Sequence, residues 1–360
     1  MNTDWSRKRE RGNRFVLKLM AWLTVHLGWR FGHTLLYPIT LYFLLASDRR
    51  ASRQFLTTAL GRKPRWSDLF RHYFTFASTV FDRAFVLQSR LEGYKIEVEG
   101  MDMVRAWIAK GQGCLLLGAH LGSFEILRAL ADQASEIGCP VPVKVLMYAA
   151  NSTYANEVFA TLNPARLDDI IEIGTPDAML RVKEALDDGA LVGMLGDRVP
   201  AGEKVEQAMF MGRPAYFAIG PFILASALKV PVILFHGILR GGRHYEIRFE
   251  LLTERLTLGR ATRQADLARW VQLYADKLAA RALEAPYNWF NFYDFWSTGA
   301  TPASSSPSTP QHGVLAGGLE PEPGFARHAS ASKPGPERAE LERRAAHSAH
   351  GGHSLEGRQF

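Results

Sequence analysis

The middle of the chain alternates short apolar runs with segments of helical periodicity. Apolar runs with the length of buried strands occur at residues 115–117, 143–147, 170–173, 191–195 and 232–235. Helical spacing of apolar residues follows or separates them at residues 126–134, 153–162, 176–186, 221–228 and 267–283. Repeated strand-then-helix units are typical of a mostly parallel sheet with helices on both faces. The alternating run 244–251 predicts one more strand, with an antiparallel orientation as one option. The pattern therefore predicts an α/β fold with a central, mostly parallel or mixed sheet flanked by helices.

The amino-terminal segment, residues 1–47, has a different pattern. Basic residues at 7–14 precede an aromatic-rich apolar stretch, whose longest uncharged run, 31–47, has 17 residues. A spanning helix needs about 20 residues. Further arginines follow at 49–53, so the positive-inside rule keeps both flanks on one side of a membrane. We expect a membrane-associated helical segment that enters the interface and returns, with an ordinary buried helical hairpin as the alternative.

Composition separates two further regions of the chain. Residues 48–298 carry the strand and helix pattern and form the predicted folded domain. Residues 299–360 are rich in Ser, Pro, Ala, Gly and His and lack large apolar side chains. Such a composition cannot bury enough apolar surface to fold, so it predicts a disordered tail.

Charge and cysteine content limit the partners and cofactors. Residues 1–90 hold 16 Lys and Arg against 5 Asp and Glu, which indicates a polyanionic partner: a membrane surface, an acidic protein or nucleic acid. Nucleic acid fits least, since the basic residues are interleaved with apolar ones and no known binding module is present. The 2 cysteines form no disulfide framework. No P-loop, GxGxxG or zinc-ligand spacing occurs, so we expect neither a nucleotide nor a metal cofactor.

His120 is the candidate base. It follows the apolar run 115–117, and Glu125 lies in the first turn of the next helix. An imidazole titrates near neutrality and can take a proton from a hydroxyl, and a carboxylate beside it can fix its tautomer. With 11 His and 36 acidic residues, about one such spacing arises by chance, so position carries the argument. The alternative is a histidine that only caps the helix.

Three more polar residues are candidates for substrate binding. Asp197 and Arg198 follow the apolar run 191–195, and parallel strands end at one edge of a sheet, where ligands bind. Arg198 can hold a phosphate or carboxylate, or the two residues form a local ion pair. Arg213 lies in what we predict to be a long loop, and a plain surface loop is the alternative. The aromatic run 288–296 either lines an apolar cavity, lies on a membrane or closes the core.

These motifs together resemble a known family. The segment His120–Glu125 is similar to the H-x4-D/E motif of the lysophospholipid acyltransferase-like superfamily. Gly118–His120, Gly196–Arg198, Phe210–Pro214 and the Asn288-Trp289 ending resemble the lipid A biosynthesis lauroyl/myristoyl acyltransferase family. The residues of these motifs are most similar to those of the branch found with aryl polyene biosynthesis. The resemblance extends over residues 15–296.

The resemblance implies that residues 48–298 are an acyltransferase domain, at the cytoplasmic face of the bacterial inner membrane and peripheral or monotopic. It implies direct acyl transfer from an acyl carrier protein or coenzyme A thioester to a hydroxyl of a lipid or glycolipid. No further cofactor is implied. By its motif, His120 is the base and Glu125 its partner.

The residues add details of mechanism and leave two alternatives. The unpaired amides of Leu121, Gly122 and Ser123 are expected to stabilise the oxyanion. Arg198 or Arg213 is expected to bind a phosphate of the acceptor or the carrier. No G-x-S-x-G elbow occurs, so we expect no covalent acyl-enzyme. The alternatives are a thioesterase, in which His120 activates water, and a non-catalytic lipid-binding protein anchored by its basic segment.

Overall fold

The computed structural model describes residues 14–88, 90–136, 141–148, 164–200 and 202–296. Nine strands lie in this part of the chain: β1 Lys95–Glu99, β2 Cys114–Gly118, β3 Val143–Tyr148, β4 Ile170–Ile173, β5 Leu191–Leu195, β6 Val205–Phe210, β7 Arg213–Ala218, β8 Val232–Gly241 and β9 His244–Thr253. The α-helices of this part are α1 Arg14–Ala46, α2 Arg50–Leu60, α3 Trp66–Val86, α4 Met101–Ile108, α5 Glu125–Glu136, α6 Ala178–Asp187, α7 Gly220–Leu228 and α8 Arg263–Glu284.

Seven strands form the central sheet, in the order β1-β9-β8-β2-β5-β3-β4. The strands β8, β2, β5, β3 and β4 are parallel to one another. β9 runs antiparallel to β8, and β1 is parallel to β9, so the sheet is mixed but mostly parallel. The expected α/β sheet is therefore confirmed, including an antiparallel strand where the alternating run 244–251 indicated one.

Both faces of the sheet are buried, which explains the continuous apolar runs of its central strands. On one face, Leu115 and Leu117 of β2 pack with buried side chains of α2, α6, α7 and α8. On the other face, Leu116 packs with residues of α4 and α5. Polar groups can therefore lie at the ends of the strands, where the following helices begin.

The helix α1 packs along α3 and leaves an apolar surface exposed. Leu36 is buried against Phe81 and Phe85 of α3, and Gly28, with φ of 74°, divides α1 into two helical stretches. The large apolar side chains of α1 that stay exposed form what we call the α1 outer face: Phe31, Tyr37, Leu41, Tyr42, Phe43 and Leu45. Within the described ranges, no helix has the length and apolar character needed to cross a bilayer.

One expected loop is a β-hairpin. Residues 210–215 contain the end of β6, a two-residue turn and the start of β7, and the two strands pair antiparallel in a separate two-stranded sheet. Met211 and Gly212 make the turn with φ of 51° and 77°, values that suit a two-residue hairpin turn. The expectation of a long loop was wrong, because the turn has methionine where Asn or Asp usually signals such a hairpin. The predicted helix at 153–162, the basic residues 7–13 and the tail 299–360 lie outside the described residues.

Candidate active site

His120 and Asp197 meet at one edge of the central sheet. β2 and β5 are neighbouring parallel strands, with Gly118 opposite Leu195. The Gly196 amide donates to the Gly118 carbonyl at 3.0 Å, which extends the pairing just beyond the strands. His120 and Asp197 each follow two residues after their strand. The expected convergence of these two signals at the carboxyl edge of the sheet is what the structure has.

A close hydrogen-bonded pair joins the two side chains. His120 Nδ1 lies 2.8 Å from Asp197 Oδ1, and the His120 backbone amide donates to Asp197 Oδ2 at 3.0 Å. The indole Nε1 of Trp289 donates to the same Oδ2, also at 3.0 Å. Asp197 is 2% exposed. Burial by itself raises the pKa of this carboxyl, but His120 and Arg198 outweigh it and lower the pKa to about 2. Asp197 is therefore an anion that accepts three hydrogen bonds.

The charge of Asp197 fixes the tautomer of His120. An ionised carboxylate only accepts, so Nδ1 carries the proton and Nε2 keeps its lone pair. Burial lowers the pKa of His120, the nearby Arg198 lowers it further, and Asp197 opposes both. The ring is thus neutral at pH 7, while its side chain stays 27% exposed. A neutral imidazole with a held Nδ1–H and an unprotonated Nε2 is the form that a general base requires.

Glu125 contacts other groups than the expected one. Its Oε1 lies 2.9 Å from Arg83 Nε of α3, and its Oε2 accepts from the Ser123 hydroxyl at 3.2 Å. The expectation that Glu125 holds the His120 ring is therefore corrected, because Asp197 occupies Nδ1. The reason is geometric: Glu125 is the first residue of α5 and faces α3, whereas Asp197 comes from the adjacent strand.

Two of the three amides expected to form an oxyanion hole are already used. Gly122 N–H donates to the Asn288 carbonyl at 2.9 Å, and Ser123 N–H donates to the Gly237 carbonyl at 2.8 Å. A Cβ on Gly122 would lie 2.0 Å from that Gly237 carbonyl oxygen, so only glycine allows this approach to β8. Gly122 and Ser123 thus hold the loop in place, and the predicted use of their amides for an oxyanion is corrected.

The two arginines expected to bind substrate lie in different settings. Arg198 donates to the Phe290 carbonyl at 3.4 Å and lies over the Tyr293 ring, 5.9 Å from its centroid. Its charge also lowers the pKa of both His120 and Asp197. Arg213, at the start of β7, lies 4.6 Å from the centroid of the Trp296 ring. Arg198 therefore belongs to the surroundings of His120, whereas Arg213 contacts Trp296 of the aromatic run and the Gln54 side chain of α2, which lies 3.0 Å from its guanidinium.

The aromatic run closes the core and clamps the His120 loop. Trp289 pairs with Leu121 in an isolated antiparallel bridge, and the Phe290 amide donates to the His120 carbonyl at 2.8 Å. The Asn288 side chain accepts from the Leu239 amide and donates to its carbonyl, so the run is also fixed to β8. Of the three alternatives predicted for this run, the structure supports the one in which the run closes the core.

Two residues near the pair were not found from the sequence. Arg83 of α3 contacts Glu125 and lowers the pKa of His120. His72 of α3 is buried and hydrogen-bonded to Trp289. Each lies more than 30 residues from His120 in the chain, and no local motif marks either.

Other candidate sites are weaker. A cavity of about 150 Å³ lies between α1, α3 and the turn between β8 and β9, with His33, Arg71, Ser78 and Asn288 in its wall. Its wall does not include His120 or Asp197, so we place the site at the sheet edge. In the part of the chain that the structure describes, no three His, Cys, Asp or Glu side chains are grouped to hold a metal ion.

Comparison with known proteins places this edge in a family context. A family model described as bacterial lipid A biosynthesis acyltransferase matches residues 68–298. The match runs from the start of α3 to the end of the aromatic run, so it contains His120, Glu125, Asp197 and Trp289. The description covers the family as a whole and names no branch. No curated protein matches the chain.

Proposed function

Since the chain belongs to the bacterial lipid A biosynthesis acyltransferase family and is an acyltransferase for lipid A-like substrates, we propose that His120 is its general base. In this proposal a fatty acyl group moves from an acyl thioester to a hydroxyl of a lipid or glycolipid. The observation that carries it is the 2.8 Å contact between His120 Nδ1 and the buried Asp197 carboxylate. That contact leaves Nε2 as the proton acceptor at an accessible sheet edge.

The proposed reaction is a direct transfer. Nε2 of His120 takes the proton of the acceptor hydroxyl as its oxygen attacks the thioester carbonyl carbon. Asp197 stabilises the imidazolium that forms, as a carboxylate does in serine hydrolases. When the tetrahedral intermediate collapses, the carbon–sulfur bond breaks and the imidazolium returns its proton to the leaving sulfur. The products are an ester and a free thiol, and His120 is neutral again.

Positive charge next to His120 supports a role for an arginine in binding negative charge on the substrate. Arg198 and Arg83 are both close enough to lower its pKa. We propose that Arg198 stabilises the oxyanion or binds a phosphate of the substrate, because a guanidinium matches both chemistries. The part expected of Arg213 in binding substrate stays a prediction, since its described contacts are with Trp296 and Gln54.

The donor is proposed to be an acyl carrier protein or coenzyme A thioester. Both are anionic, and the loop between α2 and α3 and the exposed side of α2 present cations to solvent: Arg50, Arg53, Arg62, Lys63 and Arg65. The same charges suit an anionic membrane. A cytoplasmic donor and a lipid acceptor require the site to lie at the cytoplasmic face of the inner membrane.

One product assay tests this function against the thioesterase alternative. Purified protein is mixed with a radiolabelled acyl thioester and a lipid A-like acceptor that carries a free hydroxyl. We expect label in the acylated lipid, dependent on acceptor concentration. Label that appears only as free fatty acid, at a rate the acceptor does not change, would favour hydrolysis. If neither acylated lipid nor free fatty acid forms with several donor and acceptor combinations, a lipid-binding protein is favoured.

Glu125→Gln tests the role of Glu125 as the partner of Arg83. Burial and Arg198 depress the pKa of His120 most, and Arg83 adds to them. Without the Glu125 charge, Arg83 is uncompensated and should depress this pKa further. We expect the acidic limb of the kcat/KM–pH profile to move to lower pH, with a loss of about tenfold in rate, a smaller loss than a missing base causes. An acidic limb that moves to higher pH would contradict the view that Glu125 compensates the charge of Arg83.

The α1 outer face supports a proposal of membrane association. Large apolar side chains there are unusually exposed for a soluble surface, with Tyr42 at 65% and Leu45 at 61%. Arg49, three residues after the end of α1, lies over the ring of exposed Trp66, 5.0 Å from its centroid. Apolar side chains beside cations are typical of a helix that lies in a bilayer interface.

Two charge substitutions test the interface. We expect Leu41→Glu combined with Leu45→Glu to lower binding to phosphatidylglycerol-containing vesicles by at least about tenfold, because carboxylates oppose burial in the interface. The matched control is Met179→Glu with Leu180→Glu, which alters two exposed apolar residues of α6. Sedimentation with vesicles measures both. Equal loss in the two proteins, or no loss in the α1 protein, would argue against the α1 outer face as the contact.

A further inference from the structure

The hydrogen bonds of the catalytic pair continue into the interior through Trp289. Its indole N–H donates to Asp197 Oδ2, and its backbone carbonyl oxygen lies 2.9 Å from His72 Nε2. His72 Nδ1 in turn lies 2.7 Å from the Ser52 hydroxyl. The series Ser52, His72, Trp289, Asp197 and His120 thus connects α2 and α3 to the reacting edge of the sheet.

The direction of every bond in this series is determined. A carbonyl oxygen only accepts, so His72 Nε2 must carry the proton that points at Trp289. In the neutral ring Nδ1 is then an acceptor, and the Ser52 hydroxyl donates to it. Burial lowers the pKa of His72 to about 4, although the Trp289 carbonyl opposes this, so the ring is neutral at pH 7. His72 is completely buried and both of its ring nitrogens are satisfied.

Packing gives the His72 ring little freedom. It stacks on Phe292, with 4.8 Å between ring centroids, and lies 5.8 Å from the Phe55 ring. Phe55 also packs edge-on against the Trp289 indole at 4.7 Å. The Trp289 backbone is therefore held at its carbonyl by His72 and beside Leu121 by the isolated bridge. A shift of this backbone would move the indole N–H away from Asp197.

We propose that His72 is a positioning residue for acyl transfer, acting through Trp289 to hold the Asp197 carboxylate against His120. The inference rests on the proposed function, since it assigns a task only if His120 is the base. Nε2–H of His72 fixes the Trp289 carbonyl, the indole then meets Asp197 Oδ2, and Oδ1 is left for Nδ1 of His120. Loss of the Trp289 donor makes Asp197 a stronger base, which raises the pKa of His120.

A pair of similar side chains separates positioning from bulk. Gln at position 72 can place an N–H donor near the position of Nε2, whereas Met has a similar shape and no donor. We expect His72→Met to lower kcat at least about tenfold, the size of one hydrogen bond to a charged group. Its KM should change little, and the acidic limb of its kcat–pH profile should move to higher pH. His72→Gln should restore most of kcat and the position of that limb.

Trp289→Phe tests the series from its other end, because it keeps the carbonyl and removes the donor to Asp197. We expect the same loss in kcat and the same direction of the limb. Circular dichroism and thermal unfolding show which variants are folded. Wild-type kcat and an unmoved limb in a folded His72→Met or Trp289→Phe protein would overturn the inference, as would equal losses in His72→Met and His72→Gln. If His120→Ala is fully active, the proposed function itself fails; if it is inactive while His72→Met is normal, only the positioning role fails.

Discussion

A His120→Ala protein is expected to lose acyl transfer by about 10³-fold in kcat/KM, the size of a general-base contribution. Nε2 is the only ring nitrogen of His120 free of Asp197, and alanine supplies no acceptor in its place. The side chain is partly exposed, so its removal leaves the core intact and the protein should stay folded. The measurement is the rate of acylated lipid formation with the donor at low concentration.

The control for this variant removes a histidine elsewhere. His244 lies at the start of β9, is partly exposed and faces Glu97 of β1 at 3.4 Å, so His244→Ala deletes an imidazole that pairs with a different carboxylate. We expect its activity to equal that of the wild type. Retention of more than a tenth of wild-type activity by folded His120→Ala would remove the base from the mechanism.

Asp197→Asn should be almost as damaging, although it changes a single atom. Oδ2 accepts from the His120 amide and from the Trp289 indole, so the amide oxygen of asparagine must take that position. Its NH₂ group then faces His120 Nδ1 and donates to it, which forces the ring proton onto Nε2. The base is thereby blocked, and we expect kcat to fall by about 10³- to 10⁴-fold, as wrong-tautomer variants of serine proteases do.

The matched control is Asp169→Asn, which neutralises a carboxylate paired with Lys144 at 3.1 Å beside β3 and β4. Its activity should stay within about twofold of the wild type, since Asp169 directly precedes β4 and so lies at the amino edge of the parallel strands, opposite the edge that holds His120. Near-normal kcat in folded Asp197→Asn would mean that the 2.8 Å contact with His120 is not used in catalysis. A loss confined to KM would instead place Asp197 in substrate binding, the role first expected of it.

The sequence was sufficient to predict the sheet and its functional edge. Apolar runs of strand length alternate with helical segments, and His120 and Asp197 each follow such a run. Since neighbouring parallel strands end together, their convergence follows from chain topology alone. The strand β9 was equally predictable, because buried residues alternate with partly exposed ones along most of it.

The partners within the site depended on packing that sequence spacing does not contain. Glu125 was assigned to His120 because it is five residues away, but α3 lies beside α5 and Arg83 binds it instead. The expected free amides at Gly122 and Ser123 are used by Asn288 and Gly237, which come from distant segments. His72 carries no local signal, since its place depends on how α3 meets the aromatic run.

¹⁵N NMR of the histidine-labelled protein shows whether neutral His120 presents an unprotonated Nε2 as the base. His120→Ala identifies the resonances. At pH 7 we expect Nδ1 to show the chemical shift of a protonated nitrogen and Nε2 that of an unprotonated one. We also expect Nε2 to gain its proton only below the ordinary histidine pKa of 6.5, because burial and Arg198 lower the pKa of this ring. A proton on Nε2 at pH 7, in either the neutral or the charged ring, would contradict the role of His120 as the base.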